Sequence, residues 1–309
     1  MMRNCSIIAD PEGRAWKFAE QVHDIISKKD EKFSLNPVTI TRFRDGEIKP
    51  KIAENIRQHT CFFIHDSSKP AGQWLTELAL INETMRNSSA CEVTDILPYL
   101  RFARQDRKDE TRVSISARVV SDIIELYADR ALSIDIHNPA LQGFYGIPFD
   151  NLYSFSYVIS YINAKFPEVL QNIVVMSPDA GGAERAEAFA KKLNLQDIAV
   201  GYKHREKAGE VKTMKVLGDV KDKNVMIVDD IIDSGNTLIK ACTMLKEVGA
   251  KKVYAYATHG IFSMGTSRLT DCFDAIFVGD TIPAQGADVN VIPFAPLVAE
   301  AIFRINKGE

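Results

Sequence analysis

Two adjacent carboxylates follow an apolar run and precede a turn of small residues in Val225-Met226-Ile227-Val228-Asp229-Asp230-Ile231-Ile232-Asp233-Ser234-Gly235-Asn236-Thr237-Leu238. Such a string can hold a phosphorylated sugar. Backbone N–H groups at the start of a helix, with the Ser234 and Thr237 hydroxyls, cradle a phosphate, and Asp229 and Asp230 accept hydrogen bonds from a diol. The same residues would also make a solvated turn with Asp233 or Ser234 capping the helix, although a carboxylate pair directly after four apolar residues is unusual in that duty. A second string, Val174-Val175-Met176-Ser177-Pro178-Asp179-Ala180-Gly181-Gly182-Ala183-Glu184-Arg185-Ala186, repeats the logic. Gly181-Gly182 lets a backbone come close to an anion, and Arg185 offers charge-assisted contacts. Taken alone, a Gly-Gly pair before a helix is as readily a plain turn.

Elements that would position these residues are legible around them. Short apolar runs predict strands at Ser6–Ala9, Cys61–Ile64, Val93–Leu97, Leu132–Ile136, Ile173–Met176, Val225–Val228, Val253–Ala257 and Ala275–Val278. Between them, helical spacing of apolar residues predicts helices such as Trp16–Ser27, Leu75–Arg86, Ser116–Tyr127, Ala183–Leu193 and Leu238–Val248. Strand–helix alternation of this kind gives an α/β fold with parallel sheets flanked by helices. The strand–turn–helix–strand unit that starts at Cys61 returns at Val225, about 160 residues later, which hints at a duplicated domain.

Composition narrows the class. The chain has 309 residues, 38 Lys+Arg against 41 Asp+Glu, and 46% hydrophobic residues, the profile of a globular protein long enough for two domains. A net charge of −3 lacks the basic surplus of a nucleic-acid binder. No apolar stretch reaches membrane-spanning length, and the N-terminus shows no signal-peptide pattern. The five scattered cysteines suit reduced thiols in a cytoplasm, and no spacing among them suggests zinc.

The Asp229–Thr237 string resembles the phosphoribosyl-binding loop of type I phosphoribosyltransferase folds, and the rest of the chain looks like the ribose-phosphate diphosphokinase (PRPP synthetase) family. Phe43-Arg44-Asp45-Gly46-Glu47, Pro98–Asp109, Asp135–Tyr145, Ser177–Gly182 and Ala257–Ser263 carry the resemblance in order from about residue 40 to residue 305. It implies two similar phosphoribosyltransferase-like domains: residues 1–152, completed by a C-terminal helix 296–309, on the ATP side, and residues 153–295 on the ribose 5-phosphate side. It also implies transfer of the diphosphoryl group of Mg-ATP to the 1-hydroxyl of ribose 5-phosphate, giving PRPP and AMP. A non-catalytic regulatory homologue is the alternative.

Residue by residue, the resemblance assigns ATP binding to Phe43, Asp45 and Glu47, on a loop lent by a neighbouring subunit, and to Arg104, Gln105 and Asp109. It gives Asp179, Asp229, Asp230, Asp233, Ser234, Gly235, Asn236 and Thr237 to ribose 5-phosphate, and Asp135, His137 and Asp179 to Mg2+. Lys203, Arg205 and His137 become the catalytic groups, the first two from a flexible loop that closes on the transferring diphosphoryl group. Without the family, Lys-x-Arg in a polar loop and the alternating charges from Arg101 to Arg112 read as solvated surface. The family also implies a homo-oligomer, at least a dimer and commonly a hexamer.

Four departures stand out. Gly146 stands where the family usually has an Asp near magnesium. Ser234-Gly235-Asn236-Thr237 replaces the commoner Thr-Gly/Ala-Gly-Thr, so Asn236 is expected to adopt a glycine's backbone angles. The turn Ile8–Gly13 and Gly72-Gln73 also differ from the usual residues. Finally, the string ends at Lys307-Gly308-Glu309 without a Ser-rich, Leu-Phe-ended tail, so weak activation by phosphate and weak inhibition by ADP are expected.

Overall fold

The computed structural model describes residues 4–204, 213–283 and 288–309. Two compact units divide the chain. Unit 1 takes Met1–Leu152, Thr281–Pro283 and Phe294–Glu309, and unit 2 takes Tyr153–Asp280 and Ala284–Pro293.

In unit 1 the apolar runs become strands buried on both faces. Elements follow as β1 (Cys5–Ala9), α1 (Trp16–Ile26), β2 (Phe33–Arg42), β3 (Ile48–Ile52), β4 (Thr60–Ile64), α2 (Ala71–Asn87), β5 (Glu92–Leu97), α3 (Ser116–Glu125), β6 (Arg130–Ile134) and β7 (Phe149–Leu152). Every residue of β1 and β4 is buried, as expected of strands covered by helices on each side. The sheet order is β3-β2-β1-β4-β5-β6-β7, parallel throughout except for the antiparallel pair β2–β3.

Unit 2 repeats the plan with α4 (Phe155–Lys165), β8 (Ile173–Ser177), α5 (Ala183–Lys192), β9 (Ala199–His204), β10 (Thr213–Leu217), β11 (Asn224–Ile232), α6 (Asn236–Glu247), β12 (Lys252–Gly260), α7 (Ser267–Thr270), β13 (Ala275–Gly279) and β14 (Asn290–Ile292). Its order, β10-β9-β8-β11-β12-β13-β14, matches that of unit 1 place for place, with the antiparallel exception at β9–β10. The last helix, α8 (Ala295–Lys307), belongs to unit 1. It buries Val298, Ala299 and Ile302, and Glu300 accepts an ion pair at 2.8 Å from Lys29 beyond the end of α1.

Several boundaries differ from the sequence expectations. β6 ends at Ile134, and Asp135 turns away with φ +40° rather than continuing the strand to Ile136. β11 does not stop at Val228 but pairs with β12 as far as Ile232, so both carboxylates stand within a strand. The pairs β2–β3 and β9–β10 were not among the expected strands. β3 reads Ile-Lys-Pro-Lys-Ile, and its Pro50 is tolerated because the strand lies at a sheet edge. Among the described residues no helix is long and apolar enough to cross a membrane.

Candidate active site

In open parallel sheets ligands bind beyond the carboxyl ends of the strands, and in unit 2 two adjacent strands end in the residues singled out above. β8 runs into Asp179, whose Oδ1 accepts from the Gly181 and Gly182 amides at 3.0 and 3.2 Å. This side chain thereby fixes the glycine turn. A Cβ on Gly182 would meet Ser177 Oγ at 2.9 Å, so glycine is required there by close packing.

Beside it, β11 presents Asp229 and Asp230. Asp230 is almost fully buried, while Asp229 keeps 27% of its side chain exposed. Arg185, on the first turn of α5, places Nη1 3.2 Å from Asp229 Oδ1 and 3.0 Å from Asp230 Oδ1. Burial raises Asp229 to about 7, with the neighbouring Asp230 carboxylate adding to the shift and Arg185 opposing it. Gly235 then turns the chain with φ +73° and caps α6 without any side-chain cap of its own helix end. The first amides of α6 are therefore presented in the way an anion site needs. Asn236 does not take a glycine's angles, contrary to expectation. It opens α6 as a helical residue, and the left-handed position falls on Gly235 alone. Ser234 and Thr237 flank this turn, with Asp233 just before it.

In unit 1 the loops after β4, β5 and β6 come together at the same edge of their sheet. Arg101 donates through Nε and Nη2 to the Ser67 carbonyl at 3.0 and 2.6 Å, which anchors the segment after β5. Asn138 Nδ2 donates to Asp106 Oδ2 at 2.6 Å, joining that segment to the loop that carries Asp135 and His137. Arg104, Gln105 and Asp109 are exposed along it, and His137 is exposed while Asp135 is buried. Phe43, Asp45 and Glu47 are not brought to this cluster. They form the tip of the β2–β3 hairpin, closed by the Phe43 amide on the Glu47 carbonyl at 2.8 Å, on the far side of β1, β4 and β5 from β6. β2 continues five residues past its last partner on β1, Pro37, and its last residue, Arg42, ion-pairs with Glu77 of α2 at 3.0 Å, so the exposed tip begins beyond it. Phe43 is 47% exposed there.

The chain has recognisable relatives. The family model for the N-terminal domain of ribose phosphate pyrophosphokinase matches residues 14–127, and that for the phosphoribosyl synthetase-associated domain matches residues 203–309. A ribose-phosphate pyrophosphokinase of Haemophilus influenzae is 41% identical over 285 residues, covering 89% of this chain and 90% of that protein. One from Campylobacter jejuni is 41% identical over 298 residues, 95% and 94% of the two chains. The chain belongs to the ribose-phosphate pyrophosphokinase family. The crystal structure of phosphoribosylpyrophosphate synthetase from Mycobacterium smegmatis superposes with a TM-score of 0.88 at 31% identity, over 99% of this chain and all of that one.

For a member of the ribose-phosphate pyrophosphokinase family, the expected site residues are divided between the two units. Asp135 and His137 belong to unit 1 and Asp179 to unit 2, and among the described residues no group of three or more His, Cys, Asp or Glu is poised to hold a metal. Lys203 stands on β9, opposite Met214 of β10, and Arg205 lies outside the described residues. Sequence reading missed the pairing of Arg185 with the two aspartates and the Asn138–Asp106 link. Each joins residues far apart in the chain, so no local spacing announces it.

Proposed function

We propose that this chain is a ribose-phosphate pyrophosphokinase that transfers the β,γ-diphosphoryl group of ATP to the 1-hydroxyl of ribose 5-phosphate, giving PRPP and AMP. The observation that carries this reading is the end of β11, where an ionisable pair, Asp229 and Asp230, stands one turn before the uncapped start of α6 at Gly235. A sugar phosphate needs both features, acceptors for its hydroxyls and amide donors for its phosphate. The 5-phosphate lies on the amides of Gly235, Asn236 and Thr237 with the Ser234 and Thr237 hydroxyls, Asp233 borders it, and Asp229 and Asp230 accept from the ribose hydroxyls.

ATP is held by Arg104, Gln105 and Asp109, with Phe43, Asp45 and Glu47 supplied by the hairpin of a second copy. The exposed tip supports this assignment, because an aromatic ring and two carboxylates left open on one chain suit contact with a neighbour. The working protein is then at least a dimer. The ribose 1-hydroxyl attacks the β-phosphorus as the bond to the α-phosphate oxygen breaks. Phosphoryl transfer of this kind rests on positioning and charge neutralisation, the tasks given to Lys203, Arg205 and His137. The Mg2+ donors would be Asp135 and His137 of unit 1 and Asp179 of unit 2, few protein ligands for an ion that completes its shell with waters and phosphate oxygens. The ion's contribution is to neutralise charge on the phosphates. The substrates and the free thiols suit a reducing cytoplasm.

Phosphorus NMR of the protein with ATP, ribose 5-phosphate and magnesium tests the reading. PRPP and AMP are expected to appear together and to fall by more than about 100-fold in rate with Lys203→Ala. Intact ATP at high protein concentration would favour the regulatory alternative instead.

A further inference from the structure

Cys242 and Cys272 meet in unit 2, behind the turn that starts α6. Cys242, on the second turn of that helix, is fully buried and donates from Sγ to the Cys272 carbonyl oxygen at 2.9 Å. Cys272, two residues beyond α7 and partly exposed, sets its own Sγ 3.8 Å from the Ile239 carbonyl oxygen and 4.0 Å from Thr243 Oγ1. Both thiols thus lie at the same stretch of α6, between Ile239 and Thr243. Lys246 Nζ donates to the Cys272 carbonyl as well, which holds this segment against α6.

The short helix that leads to Cys272 braces the Gly235 turn. Leu269 side-chain carbons stand 2.7 and 2.9 Å from where a Cβ on Gly235 would be, so this side chain packs directly on the Gly235 backbone. Arg268 Nη1 donates to Asn236 Oδ1 at 3.2 Å, and the Cys272 amide donates to the Leu269 carbonyl at 2.9 Å. Anything that moves Cys272 relative to α6 is therefore transmitted to the turn.

We propose that Cys242 and Cys272 form a redox-controlled pair, oxidised by a peroxide to a disulfide that ties α7 to α6 and weakens ribose 5-phosphate binding at the Gly235 turn. The Cys272 thiolate attacks hydrogen peroxide, taking one oxygen to become a sulfenic acid while hydroxide leaves and collects the thiol proton as water. The Cys242 sulfur then attacks the sulfenic sulfur. The S–S bond forms, the S–O bond breaks, and the departing hydroxyl leaves as a second water with the Cys242 proton. Two thiols and one peroxide thus give one disulfide and two waters. Burial and the hydrogen bond to Cys272 raise the Cys242 thiol and keep it protonated, so the first oxidation falls on its more exposed partner. Closing the bond to about 2.0 Å draws the sulfurs together and breaks the Cys242 hydrogen bond to the Cys272 carbonyl. The displacement passes through Leu269 to Gly235.

The effect on binding rests on the function proposed above, whereas disulfide formation does not, and the test separates them. Purified protein is treated with hydrogen peroxide, then followed by intact mass, peptide mapping and titration calorimetry with ribose 5-phosphate. The expected result is a loss of 2 Da, a peptide linking residues 242 and 272, and at least about fivefold weaker ribose 5-phosphate binding, all reversed by dithiothreitol. Cys242→Ser and Cys272→Ser should form no link and keep their affinity. Absence of the link, a link with unchanged affinity, or an equal response in the double serine variant would each overturn the proposal. Reduced protein that binds no ribose 5-phosphate would instead count against the functional reading.

Discussion

Unit 1 and unit 2 share a strand order but treat the carboxyl ends of their central strands differently. In unit 2 the ends of β8 and β11 present a glycine turn, an aspartate pair held by Arg185 and a start of α6 with no side-chain cap. In unit 1 the equivalent ends, after β1 and β4, are occupied by the chain's own side chains. Asp10 accepts the Glu12 amide at 3.0 Å and Lys69 Nζ at 2.6 Å. Asp66 accepts the Arg14 amide at 2.7 Å and both the amide and hydroxyl of Ser68, at 2.9 and 2.6 Å. Lys69 also reaches the fully buried Glu77 at 2.6 Å, where Arg42 and Gln73 join it at 3.0 and 2.7 Å. α2 begins after Pro70, without a glycine turn.

The difference teaches where specificity resides on such a scaffold. Sheet order and buried strands are common to both units, so they cannot be what binds a sugar phosphate. The binding lies in a few loop residues, and in unit 1 those positions have become an internal ion-pair network. Lys69 bridges Asp10, on the loop after β1, and Glu77, on α2, so both carboxylates are satisfied from within.

Lys69→Met tests this contrast with the largest expected effect. Removing one partner of a buried pair leaves the other charge uncompensated, and Glu77 retains Arg42 and Gln73, so the loss falls near the lower bound of about 3 kcal/mol. Both tryptophans, Trp16 and Trp74, lie in unit 1, so urea unfolding followed by tryptophan fluorescence reports this unit. Its midpoint should drop while the KM for ribose 5-phosphate stays within about twofold. A tenfold rise in that KM with unchanged stability would mean that unit 1 also touches the sugar phosphate.

Asp230→Asn gives the converse pattern. An amide is nearly isosteric but gives Arg185 a neutral partner and offers the ribose hydroxyls a weaker acceptor. Two charge-assisted hydrogen bonds are lost, and kcat/KM for ribose 5-phosphate should fall about 100-fold. The fluorescence-detected unfolding of unit 1 should not move. Retention of full affinity would remove Asp230 from the sugar site and undo the contrast from the other side.

How much of this was legible depended on range. Buried strands such as Cys61–Ile64 and Val225–Val228 announce themselves by composition, because a strand covered on both faces has no polar side to show. The Asp229–Thr237 and Ser177–Gly182 strings were legible because each site is assembled from consecutive residues. The edge strands β3 and β10 were not, since an edge strand keeps polar residues and even a proline, as at Pro50. Lys69 stands 59 positions from Asp10, and Arg185 44 from Asp229, so their pairings exist only once the sheet has formed. Asn236 was misjudged for a local reason: one left-handed residue suffices for the turn, and Gly235 supplies it.

The smallest expected effect compares two acids raised by different means. Asp229 is raised by burial beside Asp230 at the ligand edge, whereas Asp95 sits on β5 in the core of unit 1, fully buried and raised by burial to about 7. Asn82 Nδ2 donates to Asp95 Oδ2 at 2.7 Å, while Asp95 Oδ1 and Asn82 Oδ1 have no hydrogen-bond partner among the described residues. A neutral Asp95 resolves both, since its O–H can donate to Asn82 Oδ1. The folded state then binds the proton more tightly than the unfolded chain, whose aspartate titrates near 3.9. Stability is therefore greatest at low pH and is lost as pH rises towards and through 7, by about 1.4 kcal/mol between pH 6 and pH 8. His65, buried against Trp74 and lowered to about 4, shifts stability the other way over part of that range. For this reason the wild-type slope alone is ambiguous, and the difference between wild type and Asp95→Asn is the quantity to measure. Relative to wild type, the asparagine protein should gain about 1.4 kcal/mol in fluorescence-detected stability on going from pH 6 to pH 8. Parallel curves would mean that Asp95 is ionised throughout, and that the core of unit 1 tolerates a charge that only the ligand edge of unit 2 was expected to bear.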